Sequence, residues 1–102
     1  MDFGKKLEFD WDEGNSEKNW IKHKVRKKES EQVFYDPYLI VSEDPKQSKL
    51  EQRWMLIGKT TLGRTLVIIF TIKGGKLRVI SARSANRKER RLYEEEKAKS
   101  NS

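Results

Sequence analysis

LRVISARSANRKERRLY, residues 77 to 93, changes character in its middle. Leu77 to Ala82 is apolar and β-branched, as a strand requires. Asn86 to Tyr93 carries Arg87, Lys88, Arg90 and Arg91 on a segment that reads as helix. Arg83 stands at the join, where a strand leaves its sheet. A packed strand thus delivers one arginine to a rim and a basic helix follows at once, an arrangement suited to a polyanion. The plainer alternative is a solvated, highly charged helix.

Working back from this stretch, Gly74-Gly75 is a two-residue hairpin signal, because glycine accepts the positive φ such turns need. Arg64–Lys73 reads as the central strand, apolar on both faces. Thr60–Gly63 makes a tight turn, and Leu50–Lys59 is the strand before it. Glu43–Lys49 is a polar loop, preceded by a strand over Tyr38–Ser42. Asp36-Pro37 ends a helix over Ser30–Tyr35, since the residue before proline avoids helical angles. A first helix spans Asn15–Val25, with Trp20 and Ile21 on its packed stripe. Leu7–Trp11 alternates apolar and acidic residues as a short edge strand does. Forward of the opening stretch, Ser84 or Asn86 caps a closing helix that runs to about Lys97. Consecutive strands with short turns predict an antiparallel meander. The expected fold is therefore α+β and two-layer. It has a four-stranded meander, a possible N-terminal edge strand, two N-terminal helices and one C-terminal helix, all packed on one face.

The chain has 102 residues, enough for one domain with a small core. Residues 1–6 and 98–102 are expected to fray. Cysteine is absent and histidine occurs once, which argues against thiolate chemistry, disulfides and histidine-based metal sites. No metal and no cofactor is expected. No apolar run approaches a membrane span and the N-terminus lacks a signal pattern, so a cytoplasmic protein without membrane contact is expected. The charge is lopsided. Residues 59–99 hold twelve lysines and arginines against four acids, whereas residues 1–58 hold eleven against twelve. Such a segregated excess points to nucleic acid, or to an acidic protein covering the same surface.

Several short motifs occur in order. Phe9, Trp11, Asp12, Asn19, Lys22, His23 and Val25 form an F-x-WD…N-x-x-KH-x-V opening. Phe34, Asp36 and Pro37 give F-x-D-P. Glu51, Arg53, Ile57 and Gly58 give E-x-R-x-x-x-IG, and Gly63, Arg64 and Leu66 give G-R-x-L. Ile80–Arg83 with Ala85 give ISAR-x-A, and Glu89, Arg90 and Tyr93 close the series. This ordered set resembles the BrnT toxin family, the ribonuclease half of bacterial toxin–antitoxin pairs. Two positions depart from the family pattern: Asn15 stands where lysine is usual, and Lys24 replaces the usual glycine after the histidine. The resemblance implies a RelE-like fold and RNA cleavage without metal. It also implies a BrnA-type antitoxin bearing a ribbon-helix-helix part, which forms a two-plus-two complex and alone touches operator DNA.

Cleavage of RNA by its own 2′-hydroxyl sets three tasks: removing the hydroxyl proton, stabilising charge on the phosphate, and protonating the leaving 5′-oxygen. Arginine suits the second task, because its planar fork makes paired hydrogen bonds and stays charged. Arg53, Arg64 and Arg83 lie at or near strand ends and are expected to converge on one rim. Glu51 or His23 is the candidate base, and His23, Lys22 or Tyr93 the candidate acid. The catalytic set is thus His23, Glu51, Arg53, Arg64 and Arg83. Lys22, Arg78, Arg87, Arg90 and Tyr93 are assigned to RNA contact, and Lys88 and Arg91 to the antitoxin. Trp11, Trp20 and Trp54 are expected in the core. The competing readings are a nucleic-acid-binding module without catalysis and a pure protein-interaction module.

Overall fold

The computed structural model describes residues 6–44, 46 and 51–100. The order of elements is α1 (Glu13–His23), α2 (Lys27–Val33), β1 (Ile40–Glu43), β2 (Trp54–Lys59), β3 (Thr65–Lys73), β4 (Lys76–Ser84) and α3 (Arg87–Ser100). The four strands form one antiparallel sheet in chain order. This is the expected meander.

The turns explain why the strands follow one another so closely. Gly74 and Gly75 take φ of 59° and 78°, so the β3–β4 hairpin closes with Lys73 opposite Lys76. A register shift between Ile69 and Phe70 puts Phe70 opposite Val79 and Ile69 opposite Ser81. Ile80 is the extra residue of this bulge. The bulge lets Val79 and Ala82 both enter the same core cluster, although an unbroken pleat would send them to opposite faces.

The helices do not all lie on one side. Leu56, Leu66, Ile68, Phe70, Val79 and Ala82 form one core cluster with Val25, Val33 and Phe34, under α1 and α2. Ile57, Val67 and Ala85 form a second cluster with Tyr93 of α3. The strand residues of the two clusters alternate along β2 and β3, so they belong to opposite faces. The expected two-layer packing is therefore corrected to a sheet covered on both faces. The cause is the apolar character of both faces of β3, which one layer of helices cannot bury.

Boundaries shift where a local signal competes with packing. Helix α2 begins at Lys27, two or three residues before the expected start at Glu29 or Ser30, because the Glu29 carboxylate accepts the Arg26 N–H at 2.9 Å and caps the earlier start. Helix α3 is capped by Asn86 through a reciprocal box. The Glu89 N–H donates to Asn86 Oδ1 at 2.8 Å and the Asn86 N–H to Glu89 Oε1 at 2.9 Å. It runs on to Ser100 rather than ending near Lys97. The expected edge strand Leu7–Trp11 is a single parallel bridge, Phe9 to Leu77. Two hydrogen bonds, Asp10 N to Leu77 O at 2.8 Å and Leu77 N to Glu8 O at 2.9 Å, cover that point of the β4 edge. Trp11 then turns away to donate from Nε1 to Glu31 at 2.7 Å, which stops further pairing. The frayed-end expectation for residues 1–5, 101 and 102 lies outside the described residues, as do Leu50 and the side chains of Asn15 and Ile21. Among the described residues no helix is long and apolar enough to cross a membrane.

Candidate active site at one end of the sheet

The register of the sheet decides which charged residues meet. Lys59 pairs with Thr65 at one end of β2–β3, and Trp54 with Phe70 at the other. Arg64 and Arg83 belong to the first end, because Arg64 precedes Thr65 and Arg83 pairs with Val67. Arg53 and Glu51 belong to the second, about 17 Å away at the usual rise of a strand. The expected convergence of three arginines is thus corrected: Arg53 is remote. Antiparallel direction is the reason, since the start of β2 lies beside the end of β3. Arg53 Nε sits 3.5 Å from Glu51 Oε2, so the two form a local pair. Arg78 is also at the far end, 3.1 Å from Asp10, and is not beside His23 or Arg83.

At the near end, α1 is pinned to the outer edge of β4. The buried Asn19 accepts the Ala82 N–H through Oδ1 at 3.1 Å. The helix ends at His23, and Lys24 takes φ of 54°. Its N–H returns to the Trp20 carbonyl at 2.9 Å, an αL cap. Glycine takes that conformation without penalty, which explains the glycine of the family pattern here. Arg64 secures the exit. Its Nη1 donates to the Lys24 carbonyl at 2.7 Å and to Glu29 Oε2 at 3.2 Å. Nη2 donates to the His23 carbonyl at 3.2 Å and to Ser84 Oγ at 2.8 Å, and Nε to Ser84 Oγ at 3.2 Å. All three nitrogens are engaged, so Arg64 serves as a clamp joining α1, α2 and β4.

Arg83 differs. Two parallel bonds to Glu89, at 2.7 and 2.8 Å, hold its guanidinium. Nη1 also reaches the Ser84 carbonyl at 3.3 Å. The side chain keeps 38% of its surface exposed, and its Nε makes no hydrogen bond among the described residues. Glu89 is in turn fixed by the α3 cap. Its carboxyl lies below the usual range, chiefly through the hydrogen bond from Arg83, against the opposing effect of burial. The same bond raises Arg83.

His23 is half-buried, and its pKa falls below 6.5. Burial is the largest cause, followed by the charges of Lys22, Arg83 and Lys18. The imidazole is therefore neutral near pH 7 and able to accept a proton. Lys22 is exposed on the same helix. A neutral base, a cationic lysine and an oriented guanidinium share one rim.

One assigned contact changes role. Tyr93 is 1% exposed and donates its hydroxyl to Asp36 Oδ2 at 2.6 Å. Burial and then Asp36 push its pKa upward. It is a core residue, corrected from RNA contact and from candidate acid. Asp36 also accepts the N–H groups of Tyr38 and Lys59, so the Asp-Pro motif ties α2, β2 and α3 together. Arg87, Arg90 and Arg91 line an open cleft with Lys59, Gly63, Thr65 and Glu94, on the α3 side of the same sheet end. Lys88 is exposed nearby. The sequence offered Ser84 only as an alternative cap, and Asn19 and Glu89 only as motif positions without a structural role; for Glu89, the N-x-x-E spacing from Asn86 is the available signal. Among the described residues no three His, Asp or Glu side chains gather as metal ligands would.

The model of a family described as ribonuclease toxin, BrnT, of type II toxin–antitoxin systems matches residues 11–89. Among solved structures, the Brucella abortus ribonuclease toxin BrnT aligns with a TM-score of 0.58 and 26% identity, covering 80% of this chain and 100% of that one. No curated protein matches the chain.

Proposed function

The chain belongs to the BrnT family of ribonuclease toxins of type II toxin–antitoxin systems, and on that premise we propose that it is a metal-independent endoribonuclease acting at the rim of His23, Lys22 and Arg83. The observation that carries this reading is a half-buried, neutral His23 within electrostatic reach of an arginine fixed by two bonds to Glu89.

In this reading, His23 takes the proton of the 2′-hydroxyl and the 2′-oxygen attacks the adjacent phosphorus. Arg83 stabilises the charge that builds on the non-bridging oxygens, with Nε and its solvent-facing edge. The bond to the 5′-oxygen breaks, and Lys22 donates the proton that the leaving oxygen needs. The products are a 2′,3′-cyclic phosphate and a 5′-hydroxyl. Arg87 and Arg90 bind flanking phosphates, and translation stops because messages are cut. A BrnA-like ribbon-helix-helix antitoxin, in a two-plus-two complex, neutralises the toxin by covering this rim through Lys88 and Arg91, and it supplies the contact with operator DNA. The fold is of the RelE-like kind, and the setting is the cytoplasm.

The test is cleavage of a labelled RNA by the purified chain. Fragments ending in 2′,3′-cyclic phosphate are expected, with no cut at a 2′-deoxy position. His23→Gln is expected to slow cleavage by about 100-fold or more. Because the His23 pKa is lowered, the rate falls with acid only below pH 6.5, as the imidazole gains its proton. Equal cutting of the 2′-deoxy substrate, or an unimpaired His23→Gln protein, overturns the reading.

A further inference from the structure

Trp20 is the residue whose placement the catalytic reading does not use. It was expected in the core, yet 41% of it is exposed. Its neighbour Asn19 takes the buried position instead, at 3% exposure, and holds the β4 edge. With 100° between successive helical residues, Trp20 projects about 60° around the axis from His23 and about 4.5 Å along it. Lys22 and Lys18, whose charges bear on His23, fall on the other side of that histidine, about 100° and 140° around the axis. His23 thus divides a helix surface into a cationic flank beside Arg83 and an aromatic flank.

The aromatic flank is itself cationic, with two cations over the indole. Lys24 Nζ lies 5.3 Å and the Arg26 guanidinium carbon 5.1 Å from the centre of the Trp20 ring. Neither side chain is ion-paired with a carboxylate among the described residues. Cations resting on an indole at this distance are held by its negative π face. An exposed indole overlain by two cations that have no carboxylate partner among the described residues, one helical turn from the base, has the parts that single-stranded nucleic acid uses once a base displaces a cation from the ring. The flat ring accepts a base and the cations accept the phosphates on either side of it.

We propose that Trp20 is a base-stacking platform for a nucleotide next to the scissile phosphate, with Lys24 and Arg26 contacting that nucleotide's phosphates. The proposal rests on His23 marking the site of cleavage. It assigns the preferred substrate: a single-stranded segment whose flanking base is free to unstack, because a base held in a duplex cannot reach the ring. It also gives the cation at position 24 a use beyond ending α1.

The test uses full-length His23→Gln protein, so that labelled single-stranded RNA is bound without being cut. Trp20→Ala is expected to weaken binding by about 10- to 100-fold, the amount a single base–aromatic stack carries. Trp20→Phe is expected to keep most of the affinity and Trp20→Leu little of it, because the π face matters and bulk alone does not. An abasic nucleotide at one position flanking the cut should cost the parent the same factor and the Trp20→Ala protein nothing more. Circular dichroism and melting temperature should stay near those of the parent, since Trp20 is largely outside the core. Equal RNA affinity for Trp20→Ala and the parent overturns the proposal, as does Trp20→Leu equal to Trp20→Phe. If Trp20→Ala binds and, with His23 restored, cuts RNA normally but escapes its antitoxin, the surface belongs to a protein partner and the proposal also fails. A His23-intact chain that cuts no RNA refutes the catalytic reading itself. Normal cutting with no effect of Trp20→Ala refutes the platform alone.

Discussion

The two ends of the sheet carry the same residue type in different circumstances. At the far end, Arg53 and Arg78 each meet one carboxylate, at 3.5 and 3.1 Å, in part-exposed pairs. Such part-exposed pairs contribute little, and each leaves donors of its arginine unspent. At the near end, Arg64 is tied into α1 and α2, remote in sequence, and Arg83 into the next element, α3, through Glu89 six residues on. Arginine is therefore not informative by its presence at a strand end. What separates the four is how many donors are already spent and what holds the side chain still. Arg64 is immobilised with all its nitrogens occupied, which makes it a clamp. Arg83 is immobilised with Nε and an exposed edge left over, which suits it to a phosphate.

The largest expected effect breaks the comparison outright if it fails. Arg83→Ala should lower RNA cleavage by about 100- to 1,000-fold, the usual cost of losing one charge-stabilising donor. Arg53→Ala and Arg78→Ala should each stay within about threefold of the parent, measured under identical salt because nucleic-acid contacts are screened. If Arg53→Ala matches Arg83→Ala, the two ends are not functionally distinct.

A smaller effect sharpens the contrast within the near end. Arg64→Ala removes the partners of two helix-terminal carbonyls and of Glu29, so it should destabilise the fold by about 2 kcal/mol in urea unfolding. Arg83→Ala should destabilise less, since it removes the partner of one carboxylate and one carbonyl within neighbouring segments, whereas Arg64 joins three elements. The Arg83–Glu89 pair has a definite pH signature. Glu89 is held below its ordinary range, so its contribution is full above pH 4.5 and is lost as pH falls through the lowered value. Arg83→Ala should flatten that part of the stability profile, whereas Arg64→Ala should leave the Glu89 signature in place. The smallest effect concerns the helix exit. Lys24→Gly relieves a left-handed residue at φ 54° and should stabilise by about 0.5–1 kcal/mol. If Lys24 also contacts RNA, the same variant binds RNA more weakly while melting higher.

Legibility followed the range of the interaction. The Gly74-Gly75 hairpin, the stop at Asp36-Pro37 and the Asn86 cap each depend on residues within a few positions, and each was readable. The placement of α3 was not. Its docking depends on Tyr93 meeting Asp36, 57 positions away, and on Ile57 and Val67 leaving a second face uncovered. Tyr93 looked available for RNA because a tyrosine on a basic helix carries no local sign of burial. Trp20 looked buried for the opposite reason: helical spacing suggested a core stripe, while Asn19 made the contact with β4 instead.

The residues alone determined the order of elements, the antiparallel meander, the basic excess after position 58 and the family pattern, because each is written in short-range spacing or composition. Only the tertiary structure decided which arginines stand together, which of them keeps a free donor, and that His23 is held below its ordinary pKa by burial and the cations around it. Those properties come from strand direction, register and burial, which sum contacts between distant parts of the chain that no local pattern records.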